Sequence, residues 1–159
     1  MAGSGLRGRQ QKLEANKQAY ALEFVQRQRF LDAFPLSLTP AQFVDLLNQR
    51  AGSVLDTAER AQLIDELTAN NTAAGRASAL RRVAEDSNLR QAEFNRAFVL
   101  MQYYGYLGRN PDDVPDTNFG GWKFWLDKLN QFNGNFIDAE MVKAFIVSGE
   151  YRARFYAQP

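Results

Sequence analysis

The chain has 159 residues, 45% of them hydrophobic and 13% aromatic, which is enough apolar material for a core and too much for a disordered polymer. Its 19 basic and 18 acidic residues leave a net charge of +1, so no overall field draws it to nucleic acid or to an anionic membrane. The chain contains neither His nor Cys, which excludes Ser-His-Asp triads, Cys nucleophiles, His-held haem, the usual zinc sites and any disulfide framework; an all-oxygen site for calcium or magnesium is left open.

In chain order, residues 1–12 are polar and rich in Gly, Arg and Gln, and are expected to form a frayed or disordered tail. The opening Met1-Ala2-Gly3-Ser4-Gly5 reads as an artificial start. A long helix is expected from about Leu13 to Phe34, with Tyr20, Phe24, Leu31 and Phe34 on one face, Arg27 interrupting it and Pro35 stopping it. Thr39-Pro40-Ala41-Gln42 carries a capping box with Pro at the first helical position, Phe43, Leu46 and Leu47 then face inward, and Gly52 is a stop. Asp56-Thr57-Ala58-Glu59 repeats the start signal ahead of Ala61, Ile64 and Leu67. Thr72 caps a further helix carrying Leu80 and Val83, which ends near Asp86-Ser87-Asn88.

The second half restarts with a helix from about Arg90 to Leu107, with Phe94, Phe98 and Met101 on one face. A polar loop spans 108–121, a short aromatic helix runs from Trp122 to Phe132, and Asn133-Gly134 turns into a last pair, Asp138 to Ser148 and Glu150 to Tyr156. No segment alternates as a strand, and no run approaches the ~20 apolar residues of a membrane helix. The expected class is all-α: two packed helical repeats of about six to seven helices, in an orthogonal or irregular bundle.

The repeats are read from three echoes in the same order. Phe24-Val25-x-x-Gln28-x-Phe30 matches Phe98-Val99-x-x-Gln102-x-Tyr104. The run from Phe43 to Gln49 matches that from Trp125 to Gln131, and Val83-Ala84 with Asn88-Leu89-Arg90 matches Phe145-Ile146 with Glu150-Tyr151-Arg152. The expected units are 13–91 and 92–156, each too small to bury its apolar face alone and so expected to pack on the other.

Residues Tyr106-Leu107-Gly108-Arg109-Asn110-Pro111-Asp112, then Trp122-Lys123-Phe124-Trp125-Leu126, then Phe145-Ile146-x-Ser148-x-Glu150-Tyr151-Arg152-x-Arg154-Phe155 resemble the family of unknown function catalogued as DUF4214. The resemblance covers about residues 92–156. Residues 20–91 look like a diverged copy in which Phe34-Pro35-Leu36-Ser37 replaces the "GR-x-PD" turn. It implies a module of a large secreted or cell-surface bacterial protein, often in tandem, whose signal lies outside this fragment. A more distant likeness is to the linker domains of phycobilisomes, which implies an assembly role.

Two sets of site residues stand out. Asn110, Asp112, Asp113, Asp116 and Asn118 concentrate oxygen ligands of the kind calcium takes, without the spacing of an EF-hand; the alternative is a turn in which Pro fixes dihedrals and Asp and Asn cap amides. Trp122, Phe124, Trp125 and Tyr103 could stack a glycan or a partner; the alternative is core. Arg109 is expected to pair with a carboxylate or cap the preceding helix end, while Arg76, Arg81, Arg82 and Arg90 read as a solvated face. Adjacent acids such as Asp65-Glu66 suit solvated surfaces better than acid/base chemistry.

The expectation is therefore no enzyme, no cofactor with calcium as the possible exception, and no nucleic-acid partner. The chain is expected to be a structural, adhesion or assembly module whose partners are other domains of its parent protein or envelope components. A calcium- or glycan-binding module is the alternative.

Overall fold

The computed structural model describes residues 3–155, with side chains from Arg7 onwards. Among these residues there are nine α-helices, one π-helical turn and no strand. They are α1 (Gly3–Phe24), α2 (Gln28–Ala33), α3 (Pro40–Arg50), α4 (Thr57–Ala69), α5 (Ala73–Ala84), α6 (Ser87–Gln102), the π turn (Tyr103–Leu107), α7 (Gly120–Gln131), α8 (Met141–Val147) and α9 (Gly149–Ala153). The chain divides between Leu89 and Arg90 into two compact units. The all-α class is as expected, and the helix count is higher because segments expected to be continuous are broken. No described helix is long and apolar enough to cross a membrane.

Three corrections concern helix ends. The segment expected as a frayed tail is helical from Gly3 on; Met1 and Ala2 lie outside the described residues, as does Tyr156, the expected end of the last helix. The expected 13–34 helix breaks at Val25–Arg27, where Arg27 is extended (φ −66°, ψ 139°). Phe24 and Phe30 are six residues apart, which at 100° per residue would place them well round an unbroken helix from each other. The break brings their rings to 5.5 Å edge-to-face, and Phe30 then stacks on Phe34 at 4.6 Å. The expected 90–107 helix starts earlier, at Ser87, because Asp86 accepts from the Asn88 and Leu89 amides. It leaves α geometry at Tyr103.

The local start signals hold. Thr39 and Gln42 form a reciprocal capping box, as do Asp56 and Glu59, and the Thr72 hydroxyl accepts from the Gly75 amide. Such contacts lie within four residues, so they form wherever the chain enters a helix. The inner face of α4 is Leu63 and Leu67 with Ile64 packed beside them; Ile64 and Leu67 are as expected, while Ala61 is exposed. In the first unit α1 packs mainly on α5, and α3, α4 and α5 pack on one another around Val25, Phe30, Phe34, Phe43, Val44 and Leu67.

The centre of this unit holds a charge. Arg76, expected on a solvated face, is 4% exposed. Its guanidinium donates to the carbonyls of Phe34 (3.4 Å), Pro35 (3.1 Å), Leu36 (3.2 Å) and Leu38 (3.1 Å), and to the Asn71 side chain (3.4 Å). It also lies 4.8 Å from the Phe43 ring centroid. Burial pushes its ionisation down, yet an arginine keeps its proton because its ordinary value lies far above neutrality. Arg76 fastens the 34–38 turn. Gly75, beside Arg76, lets the start of α5 approach the end of α4, since a Cβ there would lie 1.9 Å from the Asn70 carbonyl oxygen.

The second unit has a smaller core of Val99, Tyr103, Leu129, Ala139, Met141 and Phe145. α8 and α9 pack on each other and on the π turn. Of the echoed positions, Val25 and Val99, Leu47 and Leu129, and Val83 and Phe145 are each buried in their own unit. Of the three residues expected on one face of α6, Phe94 and Met101 are 58% and 60% exposed and Phe98 is half-buried against the core, while Asn95, Val99 and Gln102 are buried. Asn95 is held by Asn130 at 2.9 Å and by Gln91 at 2.8 Å.

Replacing Arg76 with Met leaves four carbonyls without their donor and is expected to cost about 3 kcal/mol, read as a lower urea midpoint. Arg76→Lys is expected to recover only part of this, because an ammonium has three donors and no planar fork.

Surface ion pairs of the first unit set its acid sensitivity. Glu14 is held below the usual carboxylate range chiefly by Arg81 and then Lys17, Glu85 by Lys17 and then Arg81, Asp45 by Arg60, and Glu66 by Arg82. A depressed folded pKa contributes stability that is present above the unfolded value, about 4 to 4.5, and lost as the pH falls through the folded one. The melting temperature is thus expected to drop between pH 5 and pH 2, with a shallower slope in 1 M salt. A flat profile over that window would show that these pairs contribute nothing.

Candidate functional site

The π turn positions the site. Its last carbonyls need partners, and Gly108 closes it in the left-handed region (φ 70°), its amide donating to the Tyr103 carbonyl at 2.8 Å. Arg154 donates to the carbonyls of Gly105 (3.4 Å) and Tyr106, so the helix-end role expected of Arg109 falls to Arg154.

Arg109 instead turns into the loop that follows it. Its Nη1 donates to the carbonyls of Asn110 (2.9 Å), Pro111 (3.5 Å) and Asp113 (3.0 Å). Its Nη2 meets Asp116 at 2.7 Å and Glu150 at 3.1 Å, and Nε meets Glu150 at 2.5 Å. The guanidinium also lies 5.4 Å from the Tyr103 ring centroid. These two carboxylates, Glu150 first, raise the Arg109 pKa, and burial of Tyr103 raises that of its phenol. A hollow of about 280 Å³ adjoins the cluster, lined by Tyr103, Arg109, Asp116, Trp125, Phe145 and Glu150 among others.

Several residues of the closing segment of the chain meet here. Ser148 caps α9 by accepting from the Tyr151 amide at 3.1 Å, which sets Glu150 toward Arg109. The Tyr151 ring meets Tyr106 at 5.8 Å and Phe155 at 4.9 Å, and Phe145 packs on Tyr103 at 5.2 Å and Trp125 at 5.6 Å. The partnership between Arg109 and a carboxylate is as expected. That the carboxylate is Glu150, 41 residues on, has no local signal.

The five candidate calcium ligands are not brought together around an empty centre. Asn110 Oδ1 accepts from the Tyr104 hydroxyl (2.8 Å), Asp113 accepts from the Asn110 amide (2.8 Å) and Asn118 Oδ1 from the Gly120 amide (2.7 Å). Asp116 is bound to Arg109, and Asp112 is exposed. Among the described residues no three acidic side chains form a cluster that could hold a metal ion. The guanidinium occupies the centre of the loop and takes the carbonyls a hard cation would use.

The aromatic set also separates. Tyr103 is 3% exposed and belongs to the core, which removes it from any partner surface. Its place on the inner face follows from Val99, one helical turn before it. Trp122 and Trp125 are half-buried against the same core, with Lys128 5.3 Å from the Trp125 ring. Phe124 is exposed, edge-on to Trp125 at 5.2 Å. Apolar surface is also exposed on α6, at Phe94 and Met101; Phe98 between them is half-buried against the core and lies 5.1 Å from the exposed Phe136.

Comparison of the chain with protein-family models, with curated proteins and with solved structures returned no match.

Because a fixed guanidinium repels a second cation at the loop centre, millimolar calcium is expected to move the melting temperature by less than about 1 °C. A rise of several degrees, absent with magnesium, would show that the loop opens to bind calcium.

Proposed function

We propose that this chain is a non-catalytic interaction module, a spacer, adhesion or assembly part of a larger exported bacterial protein. The observation that carries the reading is the outward stripe on α6. A helix of a small domain normally turns its apolar residues to the core and its polar residues to water. Here Asn95 and Gln102 are inside and Phe94 and Met101 outside. Among the described residues, every exposed large apolar side chain except Leu13, Tyr20 and Leu36 belongs to the second unit. A surface of that kind is costly to keep in water and gains by being covered by another protein.

The chemistry of the Arg109 cluster supports the non-catalytic part of the reading. Asp116 and Glu150, the carboxylates that converge on the hollow, are both committed to one guanidinium, and the chain has no His or Cys to serve as base or nucleophile. Placement in an exported bacterial protein rests on the resemblance of residues 92–156, and the envelope or neighbouring domains are the partners that placement suggests.

Phe94→Glu with Met101→Glu tests the stripe. Both positions are exposed, so the double variant is expected to melt within about 2 °C of the parent chain. Sedimentation velocity and retention on a bacterial envelope fraction are expected to show association of the parent chain and at least a tenfold loss in the variant. Equal behaviour of the two, or a parent chain that stays monomeric and unretained, would overturn the proposal.

A further inference from the structure

We infer that the first unit carries a binding site for a single-tailed amphiphilic anion, a carboxylate or similar head group on a linear hydrocarbon chain. The site is a groove of about 520 Å³. Its walls are Phe30, Phe34, Leu47, Leu80 and Val83, with Ala84 at its edge. The volume falls in the range of about 300–1,000 Å³ typical of small-molecule sites, and so does the make-up, an apolar wall with a few polar groups.

The polar groups are all of one sign. Arg27, Arg29 and Arg50 line the groove, and no Asp or Glu does. Elsewhere in this unit arginines are neutralised by acids: Arg60 by Asp45 at 2.6 Å, Arg82 by Glu66 at 2.7 Å, and Arg81 by Glu14 and Glu85 at 2.5 and 3.2 Å. Arg27 holds Glu23 at 2.9 Å. Among the described residues, Arg29 and Arg50 hold no carboxylate within ion-pair distance, and the one acid on α2, Asp32, is bound by Gln28 at 2.7 Å. Arg50 is laid over the Phe34 ring, 4.7 Å from its centroid, which holds its guanidinium beside the apolar wall.

An apolar groove with unneutralised guanidinium groups at its border complements a molecule that is greasy along its length and anionic at one end. The forked donors of arginine suit a planar head group such as a carboxylate. A cationic amphiphile is repelled by the same groups, and an alcohol with the same tail gains nothing from them. The site lies within the first unit and uses none of the residues of the α6 stripe, so it stands or falls independently of the function proposed above.

The test is calorimetric titration of the full chain with sodium dodecanoate below its micelle concentration, beside dodecyltrimethylammonium. Expected are one dodecanoate per chain, at least tenfold weaker binding of the cation, and roughly tenfold weaker binding of decanoate, which lacks two methylenes. Arg29→Gln with Arg50→Gln, both at exposed positions, is expected to weaken dodecanoate at least tenfold and bring the two head groups within threefold. Ala84→Trp, at an exposed edge of the groove, is expected to weaken both. Equal affinity for the two head groups, binding unchanged by Arg29→Gln with Arg50→Gln, or binding lost instead in the Phe94→Glu, Met101→Glu chain would overturn the inference.

Discussion

Each unit of this protein is organised around one arginine whose guanidinium gathers backbone carbonyls. Arg76 collects four of them from residues 34–38, and Arg109 collects three from residues 110–113 together with two carboxylates. Both also lie against an aromatic ring of the core, Phe43 in one case and Tyr103 in the other. The reason is common to the two. A turn that packs against a core turns some of its carbonyls away from water, and those oxygens need donors. A planar cation with five N–H groups supplies several from a single side chain. Small helical units without disulfides have few other ways to hold an irregular segment in one conformation.

That constraint explains why the candidate site is furnished as it is. The loop after Gly108 is rich in Asp and Asn, and read as composition it suggests a place for a hard cation. In the folded chain the cation is already there, carried by the chain itself. The acids and amides of the loop then serve as acceptors for nearby amides and hydroxyls. Ser148, Glu150, Tyr151 and Arg154 gather, with Gly108 and Arg109, in the same cluster: one caps, one pairs, one packs and one serves the helix end.

What could be read before folding was whatever depends on neighbours in sequence. The caps at Thr39, Asp56 and Thr72 and the turn at Asn133-Gly134 are local, and each is present. What could not be read depends on partners far along the chain. Nothing near Arg76 says that it will be enclosed by a turn some 40 residues earlier. The break at Val25–Arg27 has neither Pro nor Gly; it places Phe30 in the core beside Phe24 and Phe43, which lie on other elements. Periodicity found a genuine stripe on α6, but a period locates a face and not the direction in which the face points. Its inner neighbour, with Asn95 and Gln102, is one residue out of phase and looks like surface until Asn130 is placed beside it.

The π turn at Tyr103–Leu107 has a consequence for how such a unit can vary. A π turn holds one residue more than the α-helical turn it replaces, so it is what a single-residue insertion leaves behind when the flanking helix is kept. Removing one residue there, for example Gly105, would turn it back into an ordinary α turn and leave the exit of the helix close to where it is. Arg109 would then still face Glu150. This short stretch thus acts as slack in the chain: it can take up or give back one residue without re-aiming the loop that follows.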